Sequence, residues 1–166
     1  MSPTVLPRSG ILSFMDDSAR AQFGSYGSIH ITAPGEVLMR EGEVNTKLYI
    51  VLAGTFNIFS EVCGHEVLLD TVSVGDCVGE VAIFNPDKAS ATVKSLQNGR
   101  LWAIETELLQ EFLNEWPEYA CAALLGIDII LSRRLKRANT VIRHHDIVPS
   151  FLSVRARKRS SNSHPR

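Results

Sequence analysis

The sequence predicts a mainly β fold with helices, an α+β domain built on an antiparallel, eight-stranded β-roll of the jelly-roll type. Short runs of alternating or β-branched apolar residues recur between residues 28 and 104, and each run ends at a turn signal. One insertion, residues 75–91, interrupts the series and is too long for a hairpin turn. From Thr106 onward the apolar residues recur at three- and four-residue steps, which is typical of helices.

Each element follows from a local signal. Residues 16–26 begin with acids, place Phe23 on an inner face and end at glycines, so we predict a short helix there. Seven runs are predicted as strands, and about eight strands are available to the roll: 28–32, 37–39, 48–52, 56–62, 67–72, 91–96 and 100–104. The insertion contains a one-turn helix candidate at 80–84, and such an interruption of a regular β series is where we expect a site.

Two helices are predicted after the roll, at 106–116 and 118–143, and the second is the longer. An apolar stripe runs along this long helix: Leu124, Ile127, Leu131, Leu135, Ala138 and Val141. Such a stripe would be exposed on an isolated helix, so it packs on the roll, on a second copy of the chain, or on both.

Composition indicates one soluble globular domain, with 45% apolar and 21% charged residues in a chain of 166. The charge is uneven along the chain. From Arg133 onward ten Lys or Arg accompany the single acid Asp146, whereas seven bases and seventeen acids precede Arg133. We therefore divide the chain into an ordered domain, residues 11–144, and a basic tail, residues 145–166, which we predict to be disordered.

Several function classes lack support in the sequence. The start has no signal-peptide pattern and no apolar run reaches the length of a bilayer span, so we expect a cytoplasmic protein without a transmembrane segment. Cys63, Cys77 and Cys121 lack CxxC spacing, which indicates reduced thiols, and we predict no metal site and no cofactor. His30 lacks the second histidine of a metal-binding cupin barrel. GxSxG, HExxH and the Walker lysine are absent, so we predict no enzyme.

The order of elements and turns resembles the cyclic nucleotide-binding domain family, which includes the bacterial catabolite activator and the regulatory subunits of kinases. The resemblance covers residues 11–144. Its marks are the turns Pro34-Gly35, Glu41-Gly42 and Gly75-Asp76, the strand LYIVLAG at 48–54, and Gly79-Glu80 followed by SATV at 90–93. The insertion matches the phosphate-binding cassette of that family.

The resemblance implies roles for both ends of the cassette. Gly79 lets the backbone approach a ligand closely, and the amides of Glu80, Val81 and Ala82 at a helix start would bind the cyclic phosphate. By match, Glu80 would accept a hydrogen bond from the ribose 2′-hydroxyl, and Ser90 would donate to the phosphate. Each of these residues also has a purely structural alternative, a helix cap for Glu80 and a satisfied strand hydroxyl for Ser90.

One departure from the family bears on affinity. Family members that bind nucleotide usually carry an arginine directly before the serine, and this chain has Ala89 there. Lys88 supplies a charge one residue earlier, but strand alternation would direct it to the opposite face. We therefore expect weak binding of cAMP or cGMP, or none. On the long helix, the match places Asn139 near the purine, although an exposed helical residue is the simpler interpretation.

Two functions from different classes remain open. The first is a regulatory module that binds a cyclic nucleotide and signals through its C-terminal helix to an unknown effector protein, as a homodimer formed through that helix. The second is a degenerate, ligand-free dimerising scaffold of the same fold. A weaker third is a piece excised from a channel or kinase. No helix-turn-helix follows Arg143, so we expect no DNA-binding domain, and the basic tail is more simply a solvated segment than a nucleic-acid contact.

Overall fold

The computed structural model describes the backbone of residues 6–81 and 88–157 and the side chains of residues 6–81 and 88–140. The predicted fold class is confirmed, with two antiparallel sheets of four strands each and three helices. The strands, in chain order, are β1 (Ser28–Thr32), β2 (Val37–Met39), β3 (Lys47–Ala53), β4 (Phe56–Val62), β5 (His65–Val72), β6 (Cys77–Val78), β7 (Thr92–Ser95) and β8 (Gly99–Glu105). The helices are α1 (Asp17–Ser25), α2 (Thr106–Glu115) and α3 (Pro117–Arg157), and a 3-10 turn at Gly10–Leu12 precedes α1.

Consecutive strands lie in opposite sheets, except for the hairpin β4–β5, which lies within one sheet. One sheet has the order β1-β8-β3-β6 and the other the order β2-β7-β4-β5. Side chains of both sheets meet in an apolar core of seven buried residues: Tyr49, Val51, Phe56, Val72, Val78, Val93 and Leu101. Tyr49 and Val51 alternate along β3 with Leu48 and Ile50, which are also buried but lie outside this core.

A second core lies between the first sheet and the helices. The rings of Phe23 on α1 and Trp102 on β8 are 4.6 Å apart, and Phe23 is 4.9 Å from the ring of Phe112 on α2. The indole nitrogen of Trp102 donates to the carbonyl oxygen of Gly24 at 3.2 Å, so this buried donor is satisfied. Asp16 caps α1 by accepting a hydrogen bond from the amide of Ala19 at 2.8 Å.

The segment before α1 is part of this core, which the sequence did not indicate. Four of its side chains have no exposed surface: Leu6, Ile11, Leu12 and Met15. The amide of Ile11 also donates to the carbonyl oxygen of Gly75 at 3.3 Å. The N-terminal segment therefore packs against the turn before β6.

The chain divides into two compact units, Met1–Ile130 and Leu131–Arg166. All eight strands lie in the first unit, together with α1, α2 and the start of α3, whereas the predicted boundary of the ordered domain at residue 144 stays a prediction. In the first unit, α3 buries Ile127 of the predicted stripe together with Ala120, Ala123 and Ile130, while Leu124 of the stripe is exposed. The helix was predicted to end at Arg143 and continues to Arg157. Residues 158–166 of the predicted tail lie outside the described residues.

Candidate functional site

Gly79 begins the connection between β6 and β7, residues 79–91. It follows β6 directly and has a φ of +86°, a left-handed conformation that side chains disfavour. A Cβ atom at this position would overlap the carbonyl oxygen of Lys47 and lie 2.9 Å from Nδ2 of Asn45. Because β6 pairs with β3 through Tyr49 and Val78, the start of this connection is fixed against the start of β3. Only glycine satisfies both the backbone angle and the close approach.

Glu80 and Val81 differ in their environment. Glu80 is buried, with 5% of its surface exposed, whereas Val81 has 44% exposed. Burial of a carboxylate is unfavourable unless polar partners surround it, so a buried glutamate directly after a fixed glycine indicates a built polar environment. Val81 is helical, which places the amides of residues 80 and 81 at the start of a helical turn. The predicted site residue Ala82 and the predicted helix at 80–84 beyond Val81 lie outside the described residues.

The other end of the connection is held by backbone pairing. The amide of Ala89 donates to the carbonyl oxygen of Glu43 at 2.7 Å, and the amide of Gly42 donates to the carbonyl oxygen of Ala89 at 2.8 Å. Lys88 forms an isolated antiparallel bridge with Val44. Because successive side chains in such extended pairing point to opposite faces, Lys88 does not share the direction of Ala89.

Ser90 directly follows this pairing. It is exposed and lies in a bend just before β7. Its hydroxyl is therefore open to a ligand, which leaves the predicted phosphate contact as a proposal.

One loop contacts both ends of the connection. Residues 42–44 pair with residues 88 and 89, and the residues that follow in the same loop lie against Gly79. Glu41 anchors this loop to β4, since its carboxylate accepts hydrogen bonds from the hydroxyl of Ser60 at 3.1 Å and the amide of Glu61 at 2.8 Å. The structure thus brings the predicted residues Gly79, Glu80, Lys88, Ala89 and Ser90 to one side of the roll, around the β2–β3 loop.

Asn139 belongs to a different compact unit from the other predicted site residues. It is exposed on α3 in the second compact unit, which begins at Leu131. Its predicted contact with a purine therefore remains a prediction that only a bound ligand can test.

An ion pair joins β3 and β8. Nζ of Lys47 lies 3.0 Å from Oε1 of Glu105, and Oε2 of Glu105 accepts a hydrogen bond from the hydroxyl of Thr46 at 3.0 Å. The hydrogen bond from Lys47 lowers the pKa of Glu105, and the same bond raises the pKa of Lys47. Both charges therefore persist over a wide pH range and fix the first residue of β3 to the last residue of β8.

A cleft of about 210 Å³ next to this loop does not suit an anion. Four glutamates line it, Glu41, Glu43, Glu61 and Glu66, against the single base Arg40. A phosphate would meet repulsion there, so the cleft is not the anion site. Among the residues that the structure describes, no group of three or more His, Cys, Asp or Glu is arranged to hold a metal ion.

Two residues that lie against Gly79 were not predicted from the sequence. They are Asn45, through its side-chain amide, and Lys47, through its main-chain carbonyl. The signal available in the sequence was weak, an asparagine just before a strand, which is typical of a local side-chain-to-backbone turn. The strand β6 was also missed, because two residues show no period.

Comparison with known proteins shows what this arrangement is similar to. The family model described as cyclic nucleotide-binding domain matches residues 30–115. The CRP-like cAMP-activated global transcriptional regulator of Mycobacterium tuberculosis is 27% identical over 136 residues, which covers 81% of this chain and 59% of that regulator. The cGMP-dependent protein kinase, isozyme 1, of Drosophila melanogaster is 30% identical over 82 residues, or 49% of this chain and 10% of the kinase. The chain thus spans less than two thirds of the length of these curated relatives.

Solved structures agree with the fold. The N-terminal domain of a transcriptional regulator from Streptomyces coelicolor superposes with a TM-score of 0.66 at 30% sequence identity, covering 83% of this chain and 94% of that one. A cyclic nucleotide-binding domain from Methylobacillus flagellatus superposes with a TM-score of 0.75 at 17% identity, covering 79% of this chain and 74% of that one. Among the described residues, no helix is both long enough and apolar enough to cross a bilayer.

Proposed function

Because this chain belongs to the cyclic nucleotide-binding domain family, we propose that it is a regulatory module that binds a cyclic nucleotide, cAMP or cGMP, without catalysing a reaction. One observation carries this proposal. The β6–β7 connection starts at a glycine with no room for a side chain, and both of its ends are held on one loop. A loop so constrained is suited to present main-chain amides to an anion.

At the Gly79 end, the proposed site has main-chain amides and the carboxylate of Glu80. At the other end it has the hydroxyl of Ser90. The amides after Gly79, those of Glu80, Val81 and Ala82, bind the cyclic phosphate with the positive end of the helical turn. The buried carboxylate of Glu80 accepts a hydrogen bond from the ribose 2′-hydroxyl, and Ser90 donates to the phosphate from the other end. Asn139 is the proposed partner of the purine.

The affinity we propose is low, because Ala89 supplies no charge where an arginine would neutralise the phosphate. A hydrogen bond to a charged group contributes about 1.5–3 kcal/mol, or about one to two decades in the dissociation constant. Lys88 does not replace it, since extended pairing directs its side chain away from that of Ala89. The expected dissociation constants are therefore well above those of relatives that carry the arginine.

Calorimetric titration with cAMP and cGMP tests the proposal directly. We expect Ala89→Arg to bind at least one of the two nucleotides about tenfold more tightly than the unchanged protein. Gln97→Arg is the matched control, because it adds the same charge at an exposed turn between β7 and β8 and should leave the affinity unchanged. Absence of heat and of a melting shift at millimolar ligand, for both the unchanged protein and Ala89→Arg, would show that no nucleotide site exists.

The response to ligand is proposed to be a population shift of the C-terminal helix, read by an effector protein. This mechanism requires that α3 pack differently with and without ligand. Hydrogen exchange along α3, measured with and without saturating nucleotide, tests it. Exchange rates that do not change on binding would exclude signalling through this helix.

A second candidate function is a ligand-free dimerising scaffold. It is favoured by Ala89 and by the apolar side chains exposed on the first part of α3, where Leu124, Leu125 and Ile129 have 38%, 49% and 49% of their surface exposed. Such side chains on one helix are typical of a helix-mediated dimer. Light scattering separates the candidates: the scaffold predicts a dimer that is indifferent to nucleotide, and a monomer would exclude it.

The cytoplasm is the proposed location.

A further inference from the structure

Asn45 holds a carbonyl group against Gly79. Its Nδ2 donates a hydrogen bond to the carbonyl oxygen of Lys47 at 2.7 Å, and the amide of Lys47 returns a longer bond of 3.4 Å to Oδ1. That carbonyl oxygen is the atom that a Cβ on Gly79 would overlap. The amide of Asn45 therefore sets where the backbone of Gly79 lies, and with it the amides that follow.

The next carbonyl along the chain points the other way. The carbonyl oxygen of Thr46 accepts two hydrogen bonds from Thr106, from its amide at 2.7 Å and from its hydroxyl at 2.8 Å. Successive carbonyls of an extended segment point to opposite sides, so Thr46 faces β8 and α2 while Lys47 faces β6. Thr106 is the first residue of α2, and its amide would otherwise lack an intrahelical acceptor.

We propose that residues 45–47 form a positioning segment that links the start of the anion site at Gly79 to the start of α2 at Thr106, with Asn45 as the positioning residue. This inference rests on the proposed function for its link to ligand, because the amides it positions are those that would bind the phosphate. The two contacts lie one peptide unit apart, so a displacement at Gly79 moves the acceptor of the first amide of α2.

The first test needs no ligand. Hydrogen exchange at the amide of Val78, which pairs with Tyr49 directly before Gly79, is measured in Asn45→Ala and in the matched control Asn114→Ala, which removes the same amide from an exposed position on α2. We expect exchange to rise about fivefold or more in Asn45→Ala and to stay unchanged in the control, because about one hydrogen bond is lost. Equal exchange in both variants would overturn the proposal.

The second test examines the far end of the segment. Thr106→Val removes the hydroxyl that donates to Thr46, and Thr106→Ser retains it. We expect Thr106→Val to raise exchange at the amide of Val78 and Thr106→Ser to leave it unchanged. A rise confined to α2 in Thr106→Val would show that the two ends are not linked. This pair also keeps the proposal testable if Asn45→Ala fails to fold.

Affinity measurements separate this inference from the proposed function. If the unchanged protein binds nucleotide and Asn45→Ala binds it with the same affinity, the positioning role is wrong while the proposed function stands. If the unchanged protein binds neither nucleotide, the proposed function fails, and hydrogen exchange still decides whether residues 45–47 position Gly79. We expect Asn45→Ala to weaken binding about fivefold and to lower the melting temperature by only about 2–4 °C, so that the protein stays folded during the titration.

Discussion

Gly126 on α3 lies against the carbonyl group of Ile11, with no room for a Cβ atom between them. The contact joins a helix to the N-terminal segment through their backbones, within the first compact unit. Neighbouring side chains on both partners are buried, Leu12 on the segment and Ile127 and Ile130 on the helix. The glycine is thus explained by close packing, since a glycine within a helix is otherwise destabilising.

This contact reverses the usual effect of a helical Gly-to-Ala change. At an unconstrained position Gly→Ala stabilises a helix by about 1 kcal/mol. For Gly126→Ala we expect instead a net loss of about 1–3 kcal/mol in the free energy of unfolding, because the new methyl group overlaps the Ile11 carbonyl. Urea denaturation measures this change in the free energy of unfolding. Asp128→Ala, at an exposed position on the same helix, is the control and should be neutral or slightly stabilising; a stabilised Gly126→Ala would contradict the packing.

Gly79→Ala should destabilise the fold in two ways, through the left-handed backbone angle and through overlap with a neighbouring residue. The same change at Gly35 separates the two effects. Gly35 has a similar φ of +79° but no atom within 4 Å of a Cβ. We expect Gly35→Ala to lose about 1–2 kcal/mol from the left-handed backbone alone, and Gly79→Ala to lose about 2 kcal/mol more from the overlap with Lys47. Chemical denaturation of the two variants gives the difference. Equal losses would mean that the backbone near Lys47 yields to the added methyl group.

The ion pair between Lys47 and Glu105 makes a pH-dependent contribution to stability. The pKa of Glu105 is lowered from 4.5, so its contribution is present above about pH 4.5 and is lost as the pH falls through the folded-state pKa. The pKa of Lys47 is raised from 10.5, so its contribution is lost as the pH rises above that value.

Glu105→Gln tests this pH dependence. We expect it to lower stability at pH 7 by about 0.5 kcal/mol, a small value because both side chains are more than a third exposed. This loss should shrink as the pH falls below about 4.5. Melting curves from pH 3 to pH 7 show the trend. Glu111→Gln, an exposed change on α2, should show no such trend; a loss of stability that is the same at pH 3 and pH 7 would indicate a role other than charge.

If Glu80 contacts the ribose, the effect of removing the 2′-hydroxyl from the ligand should depend on whether Glu80 is present. Removing the ribose 2′-hydroxyl from the nucleotide should weaken binding to the unchanged protein about tenfold, because one hydrogen bond to the charged carboxylate of Glu80 is lost. In Glu80→Gln the same change of ligand should matter much less. Titrations of cAMP and its 2′-deoxy analogue against both proteins form the cycle. Additive losses would mean that Glu80 does not contact the ribose.

Much of the roll could be predicted because its signals are local. β1, β2 and β4 have the predicted bounds, since each is a short apolar or alternating run followed by a turn that contains glycine. β6 was not predicted, because two residues carry no period, and the burial of Leu6 and Met15 was missed because that segment has neither period nor turn. On α3 the predicted stripe includes Ile127, which is buried, but it did not include Ala120 and Ala123, since small residues give a weak apolar signal.

The candidate site likewise contains residues that could be predicted from the sequence and residues that could not. Gly79, Glu80 and Ser90 could be proposed because a known order of motifs surrounds them. The role of Asn45 could not, because its partner is a main-chain carbonyl, which every residue has and no sequence letter reveals. The position of Glu41 was likewise missed, because its carboxylate binds β4, which is distant in the chain.

The attachment of the β2–β3 loop to both ends of the β6–β7 connection affects how this domain can be engineered. Surface loops usually accept a change in length, but a deletion among residues 41–47 would shift one attachment out of register with the other. A chimera that transfers only residues 79–91 onto another roll would lack its anchor. The smallest transplantable cassette in this chain is therefore discontinuous and consists of two stretches that have to be exchanged together.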